Sequence, residues 1–223
     1  GFGASRTMRI AQKLYEGINI GSETTGLITY MRTDGVQLSS QAIEELRNEI
    51  SNRHGKSYIP DNPRVYKSKA ANAQEAHEAI RPTDIARDPE SISNYLDAEQ
   101  LKLYDLIWKR TISSQMQSAE LDETAADISS KDQSITFRAN GSQVIFPGFF
   151  VYRDKEDDRL LPNLNEKEEV DLSKVESDQH FTQPPPRYTD ASLIKKMEEL
   201  GIGRPSTYAS ILQVLINRNY VEK

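Results

Sequence analysis

Gly26-Leu27-Ile28-Thr29-Tyr30-Met31-Arg32-Thr33-Asp34 is the stretch on which the reading of this chain turns. Its apolar, β-branched centre predicts a short strand within Thr24–Met31, entered through Gly26, with a polar loop from Arg32 to Leu38. In an extended backbone Tyr30 and Arg32 project to the same side. A tyrosine hydroxyl ordinarily titrates at about pH 10, so it becomes a nucleophile only where its phenolate is stabilised. A neighbouring arginine can do that, and its planar fork also fits the non-bridging oxygens of a phosphodiester. Asp34 can orient the arginine or stand near a metal. Taken alone, the stretch reads first as a half-buried strand tyrosine beside a surface ion pair.

Two further stretches combine functional side chains with tight backbone. In Ala76-His77-Glu78-Ala79-Ile80-Arg81-Pro82-Thr83-Asp84, a short helix over 73–80 ended by Pro82 puts His77 and Arg81 one turn apart. Two donors at that spacing suit a phosphate, and a histidine also exchanges protons near neutral pH. An ordinary helix end with a Glu78–Arg81 ion pair explains the same residues. In Gly201-Ile202-Gly203-Arg204-Pro205-Ser206-Thr207-Tyr208, two glycines allow a tight turn, Pro205 suits a helix entry, and Ser206 or Thr207 can cap it. Free N–H groups of such a first turn, with Arg204 beside them, make an anion site. Residues 191–221 also resemble a helix-turn-helix.

The remaining elements follow from periodicity. A first helix starts with Ser5 as N-cap, has Met8, Ala11, Leu14 and Tyr15 on one face, and ends at Gly17. A second, from about Ser40 to Arg53, is capped by Ser39, closed by Gly55 and buries Ala42, Ile43, Leu46 and Ile50. Pro60-Asp61-Asn62-Pro63 is a turn. A long helix from about Asp97 to Met116 turns Leu101, Tyr104, Ile107, Trp108 and Ile112 to a core. Short β runs follow at 124–129, 134–139, 143–150 and 169–175, with Asn140-Gly141 as a hairpin turn. Pro184-Pro185-Pro186 marks a boundary, and helices over about 189–200 and 206–217 complete the chain.

Composition sets limits. With 36% hydrophobic and 28% charged residues the balance is that of an ordinary water-soluble chain, and no apolar run reaches the ~20 residues of a membrane helix. Residues 1–17 are too polar for a signal peptide. The absence of cysteine excludes disulfides and thiolate zinc sites and fits a reducing compartment, and His54, His77 and His180 lack metal-ligand spacing. The overall charge of −6 is unevenly spread: +2 over 1–83, −10 over 84–180 and +2 over 181–223. Phosphate contacts therefore belong to the two ends.

Leu-Ile-Thr-Tyr-Met-Arg-Thr-Asp, Ala-His-Glu-Ala-Ile-Arg-Pro and Gly-Ile-Gly-Arg-Pro-Ser-Thr-Tyr-Ala-Ser, in that order, resemble the signature of the bacterial type IA DNA topoisomerases. Ser5–Tyr15 and Phe181–Tyr188 also look like family sequence, so the resemblance runs from end to end and is weakest over the acidic β region. It implies an internal fragment of a longer enzyme that opens a single DNA strand through a 5′-phosphotyrosine link. That enzyme passes another strand and reseals the break without ATP, relaxing negative supercoils. Tyr30 would be the nucleophile and Arg32 would stabilise the scissile phosphate and phenolate. His77 would position that phosphate with support from Arg81, and Arg204, Ser206 and Thr207 would grip single-stranded backbone.

The implied fold is multidomain, α and β, part of a four-domain ring. Residues 1–116 would form a mainly helical tyrosine domain, 117–183 a β-rich arch segment, and 184–223 the start of a helical single-strand-binding base domain. The implied cofactor is Mg²⁺, held by an acidic cluster of a Toprim domain outside this chain, so no metal ligand is expected here and the fragment alone should be inactive. Neither ATP nor zinc is expected. Expected partners are DNA, preferentially single-stranded, and the other domains of a monomeric parent, with no membrane, in a bacterial cytoplasm at the nucleoid. The family often has serine after the motif's last aspartate; Gly35 here is expected to change a loop and not the chemistry. A non-catalytic helix-turn-helix module that reads duplex DNA is the competing reading.

Overall fold

The computed structural model describes residues 1–67, 77–153 and 158–222. They form two compact units, one of residues 1–117 with 187–223, the other of 118–186.

The first unit is built on helices whose ends are mostly fixed by local side chains. Helix α1 spans Ala4–Glu16 and buries Ile10, Ala11 and Leu14. It starts one residue before the expected N-cap: Gly3 is the cap, no side chain of its own closes it, and the N–H of Ala4 donates to Asp190 at 3.1 Å. A carboxylate brought by the fold does there what Ser5 was expected to do. Beyond Gly17, β1 (Ile18–Asn19) pairs antiparallel with β2 (Thr24–Thr25). Helix α2 (Ser40–His54) has the expected Ser39 cap, whose hydroxyl accepts from the Ala42 N–H at 3.3 Å, and buries Ala42, Leu46 and Ile50. Helix α3 (Ala98–Ser114) carries a capping box between Asp97 and Gln100 and buries Leu103, Tyr104, Trp108 and Ile112.

Two expectations fail around the tyrosine stretch. Residues 27–31 are not a regular strand: the N–H of Thr29 donates to Arg81 at 2.9 Å and that of Thr83 to Leu27 at 3.1 Å, but Ile28–Pro82 is an isolated bridge. The N–H groups that would extend the ladder go elsewhere, that of Arg81 to the Thr29 hydroxyl at 3.0 Å and that of Leu27 to the Leu14 carbonyl at 2.7 Å. Nor is there a helix over 77–80; residues 73–76 of that expected helix lie outside the described residues. His77 to Thr83 instead runs as an irregular segment, bent at Ile80 and Thr83, beside the tyrosine stretch, so the helical His77–Arg81 spacing does not arise.

In the second unit β3 (Glu120–Ser129) and β4 (Thr136–Phe146) pair antiparallel, from Ser129 opposite Thr136 to Glu120 opposite Phe146. The turn is Ser130–Ile135, and Asn140-Gly141 lies inside β4. Gly141 serves close approach: a Cβ there would come 2.8 Å from the Arg159 carbonyl, whose residue exchanges hydrogen bonds with Ser142 at 2.8 and 2.9 Å. The strand expected at 169–175 does not form, and 143–150 ends as a strand at Phe146, followed by a 3₁₀ turn over Gly148–Tyr152.

Helix α4 (Asp190–Glu199), boxed by Thr189 and Ser192, and α5 (Tyr208–Asn217) return to the first unit, where α5 packs on α1. No helix among the described residues is long and apolar enough to cross a membrane.

Candidate active site around Tyr30

Two segments meet at Tyr30, and a third carries the remaining motif residues. The first is its own. Leu27 and Ile28 are buried, Leu27 donates to the last-turn carbonyl of Leu14 at 2.7 Å, and Gly26 lies so close to α1 that a Cβ would stand 2.5 Å from the Tyr15 carbonyl. The stretch is thereby clamped against the C-terminal end of α1. Tyr30 and Arg32 both meet that helix, which preserves their expected same-side placement: the Tyr30 ring packs edge-on to Tyr15 with centroids 5.5 Å apart, and Arg32 Nη2 donates to Gln12 Oε1 at 3.2 Å. From sequence, Tyr15 had only a place on the apolar face of the first helix and Gln12 none, and neither had a role in the site; their i,i+3 spacing on the helix beside the motif was the available signal.

The second segment is His77–Thr83. Thr29 accepts from the Arg81 N–H at 3.0 Å through its hydroxyl and donates that hydroxyl to the Ala79 carbonyl at 2.8 Å. The Ala79 N–H reaches Gln37 at 2.8 Å. These bonds bring the His77 ring to 5.1 Å from the Tyr30 ring, tilted by 50°. Arg81 is not free to meet a ligand with its whole fork: Nε pairs with Glu78 at 2.8 Å and Nη1 donates to the Pro82 carbonyl at 2.9 Å. It braces the segment.

Glu78 ties the same segment to α2, accepting from the Ser39 N–H at 3.2 Å. Burial alone would raise its carboxyl, but the Arg81 and Ser39 hydrogen bonds and the Arg81 charge outweigh it and hold the group below its usual value. A carboxylate depressed in the folded state contributes stability that is fully present above its unfolded value, about pH 4.3, and lost as pH falls through the folded one. The thermal midpoint is therefore expected to fall on acidification below about pH 4. In Glu78→Gln the midpoint should start lower at neutral pH and change less with acid, which parallel melting curves would reveal.

Gly35 bears on the site directly. Its φ is not in the left-handed region, yet a Cβ would stand 2.2 Å from the His77 carbonyl. The glycine is required by space, and the loop it shapes is the one against which His77 lies. Gly35→Ala is expected to cost about 1–3 kcal/mol of stability as the two backbones separate, measured by thermal or denaturant unfolding.

The third segment is the turn before α5. Gly201 and Gly203 have φ of 69° and 80°, and Thr207 closes the turn by accepting from the Arg204 N–H at 2.9 Å. The helix begins at Tyr208, after the expected entry, with Thr207 in the cap position. The Thr207 and Tyr208 N–H groups are bound to the Arg204 carbonyl, at 2.8 and 3.1 Å, so they are not free for an anion. The side chains of Arg204, Ser206 and Thr207 are exposed. The Tyr208 hydroxyl is pushed up by burial and by the charges of Glu198 and Asp34, against the opposing charge of Arg204. Among the described residues no three histidines, cysteines or carboxylates group together to hold a metal ion.

A family model for DNA topoisomerase matches residues 1–223. The chain belongs to the bacterial DNA topoisomerase I family. It is 56% identical to DNA topoisomerase 1 of Rickettsia conorii over 99% of its own length and 29% of that protein's. With DNA topoisomerase 1 of Helicobacter pylori it shares 48% identity over its whole length and 30% of that relative's. Its fold superposes on full-length topoisomerase I from Thermotoga maritima with a TM-score of 0.84 at 39% identity, covering all of this chain and 36% of that structure. The chain thus spans under a third of the curated relatives it matches, and a topoisomerase fragment with these three motifs is the setting of the Tyr30 geometry.

Proposed function

We propose that this chain supplies the nucleophile and part of the single-strand grip of a type IA DNA topoisomerase. The observation that supports this most is the placement of the Tyr30 ring against His77, with Arg32 beside it on the same face of α1. In this reading the Tyr30 oxygen attacks a backbone phosphorus of one DNA strand. The bond to the 3′-oxygen breaks, leaving a 3′-hydroxyl and a 5′-phosphotyrosine that keeps the phosphodiester energy for resealing without ATP.

Arg32 neutralises charge on the phosphate and the phenolate. His77 positions the phosphate, with Arg81 holding its segment through Glu78. Arg204, Ser206 and Thr207 contact single-stranded backbone with little base readout. Strand passage then relaxes negative supercoils. The Mg²⁺ requirement is assigned to the rest of a monomeric bacterial cytoplasmic enzyme at the nucleoid, and these residues alone are expected to be inactive.

The test is cleavage of end-labelled single-stranded DNA with Mg²⁺ by a protein in which the chain is restored to the full length of its relatives. Label recovered on a peptide containing Tyr30 is the expected result. Intact DNA from that folded protein would move the reading to a DNA-binding module without catalysis.

A further inference from the structure

The Tyr30 hydroxyl has no hydrogen-bond partner among the described residues, so no polar contact there sets the direction of the ring. What the ring does have is two aromatic neighbours, His77 at 5.1 Å and Tyr15 at 5.5 Å, the latter at 68° in an edge-to-face arrangement. Tyr15 differs from the other residues that frame the site. It sits in the last turn of α1, one helical turn after Gln12, which holds Arg32. The backbone beneath it is fixed twice, by the Leu27 N–H on the Leu14 carbonyl and by the close approach of Gly26 to the Tyr15 carbonyl.

Tyr15, expected on the buried face of that helix, is nevertheless 41% exposed. Burying apolar area is therefore a poor account of a large aromatic at that position. Its hydroxyl, like that of Tyr30, has no hydrogen-bond partner among the described residues, so the contact between the two residues is one of rings.

We propose that Tyr15 is a positioning residue for the nucleophile, its ring acting as a rigid wall that fixes the plane of Tyr30 and hence the line of attack of its oxygen. This rests on the topoisomerase reading of Tyr30. Attack at phosphorus requires the entering oxygen to lie in line with the leaving one, and a ring free to swing reaches that geometry less often. An edge-to-face aromatic pair contributes enough to bias that swing roughly 3- to 10-fold. The same side of α1 then aligns both groups of the pair, the tyrosine through Tyr15 and the arginine through Gln12.

The experiment measures single-turnover cleavage of end-labelled single-stranded DNA, at saturating DNA, by the full-length protein carrying Tyr15→Ala, Tyr15→Phe or no change. Binding of the same DNA is measured alongside. Tyr15→Ala should lower the saturated cleavage rate roughly 3- to 10-fold with the dissociation constant unchanged. Tyr15→Phe should restore the rate, because it returns the ring and omits only the unpartnered hydroxyl. A folding defect would instead lower the fraction of protein that binds DNA, and alanine is at least as good a helix former as tyrosine.

An unchanged rate in Tyr15→Ala, or a loss that Phe does not restore, overturns the proposal. So does a weaker dissociation constant with the saturated rate intact, which would mean that the ring stacks on a base. If the unaltered protein cleaves nothing, the reading of Tyr30 fails first and this proposal with it. Cleavage in that control makes any of the other failures specific to Tyr15.

Discussion

Tyr30→Phe, in the full-length protein, is expected to remove covalent cleavage by on the order of 10⁴-fold or more, with single-strand affinity within about twofold of the unaltered protein. The substitution deletes one oxygen and keeps the ring. That ring is what touches Tyr15 and His77, while the hydroxyl has no partner among the described residues, so Phe should occupy the same seat. Stability should change by less than about 0.5 kcal/mol. A loss of cleavage with binding and melting unchanged therefore assigns the covalent bond to the deleted oxygen. Residual cleavage well above that level would point to another nucleophile. The phenol of Tyr15, one ring away, would be the first place to look for the label.

How far such residues could be read from sequence depended on whether their determinants were local. The caps of α2 and α3 were legible because Ser39 and the Asp97–Gln100 box act within three residues of themselves. The start of α1 was not, since its first N–H is satisfied by Asp190, 186 residues away. The run Leu27–Met31 had a strand's composition, but the ladder stops after one bridge because the Leu27 N–H is taken by the Leu14 carbonyl and the Arg81 N–H by the Thr29 hydroxyl. Asn140-Gly141 carried a turn signal that the fold overrode, because a backbone at Arg159 needed the space. The site shows the same division. Tyr30, Arg32 and His77 stood out as residue types in motifs; the structure sets the Tyr30 and His77 rings 5.1 Å apart and turns Arg32 to Gln12 on α1. Gln12 and Tyr15 were given no role there, because each meets the site only through a segment distant in sequence.

Trp108 shows how far that distant support extends, and Trp108→Ala is the second change expected to have a large effect. The side chain is 2% exposed in the middle of α3, its Nε1 donates to the Ile85 carbonyl at 2.8 Å, and the Arg53 guanidinium lies 5.1 Å from its ring centre. Truncation leaves a cavity, removes the donor from a buried carbonyl and strips the cation of its aromatic face, which together should cost about 3–5 kcal/mol. The damage should not stop at α3. Ile85 follows Thr83 and Asp84 in chain, and Thr83 is bonded to the tyrosine stretch by its N–H on Leu27 and its hydroxyl on the Gly26 carbonyl at 2.7 Å. Loosening Ile85 therefore loosens the segment that carries His77 to Tyr30. Trp108→Phe keeps most of the volume and should recover more than half of the loss, leaving about 1–2 kcal/mol for the missing hydrogen bond. Denaturant unfolding measures the first effect. The cleavage rate per folded molecule, taken where both variants remain folded, measures the second. If Trp108→Ala melts early but cleaves normally while folded, the path from α3 through Ile85 and Thr83 supports only the core, and the position of His77 is set instead by Gly35, Gln37 and Ser39 on the opposite side.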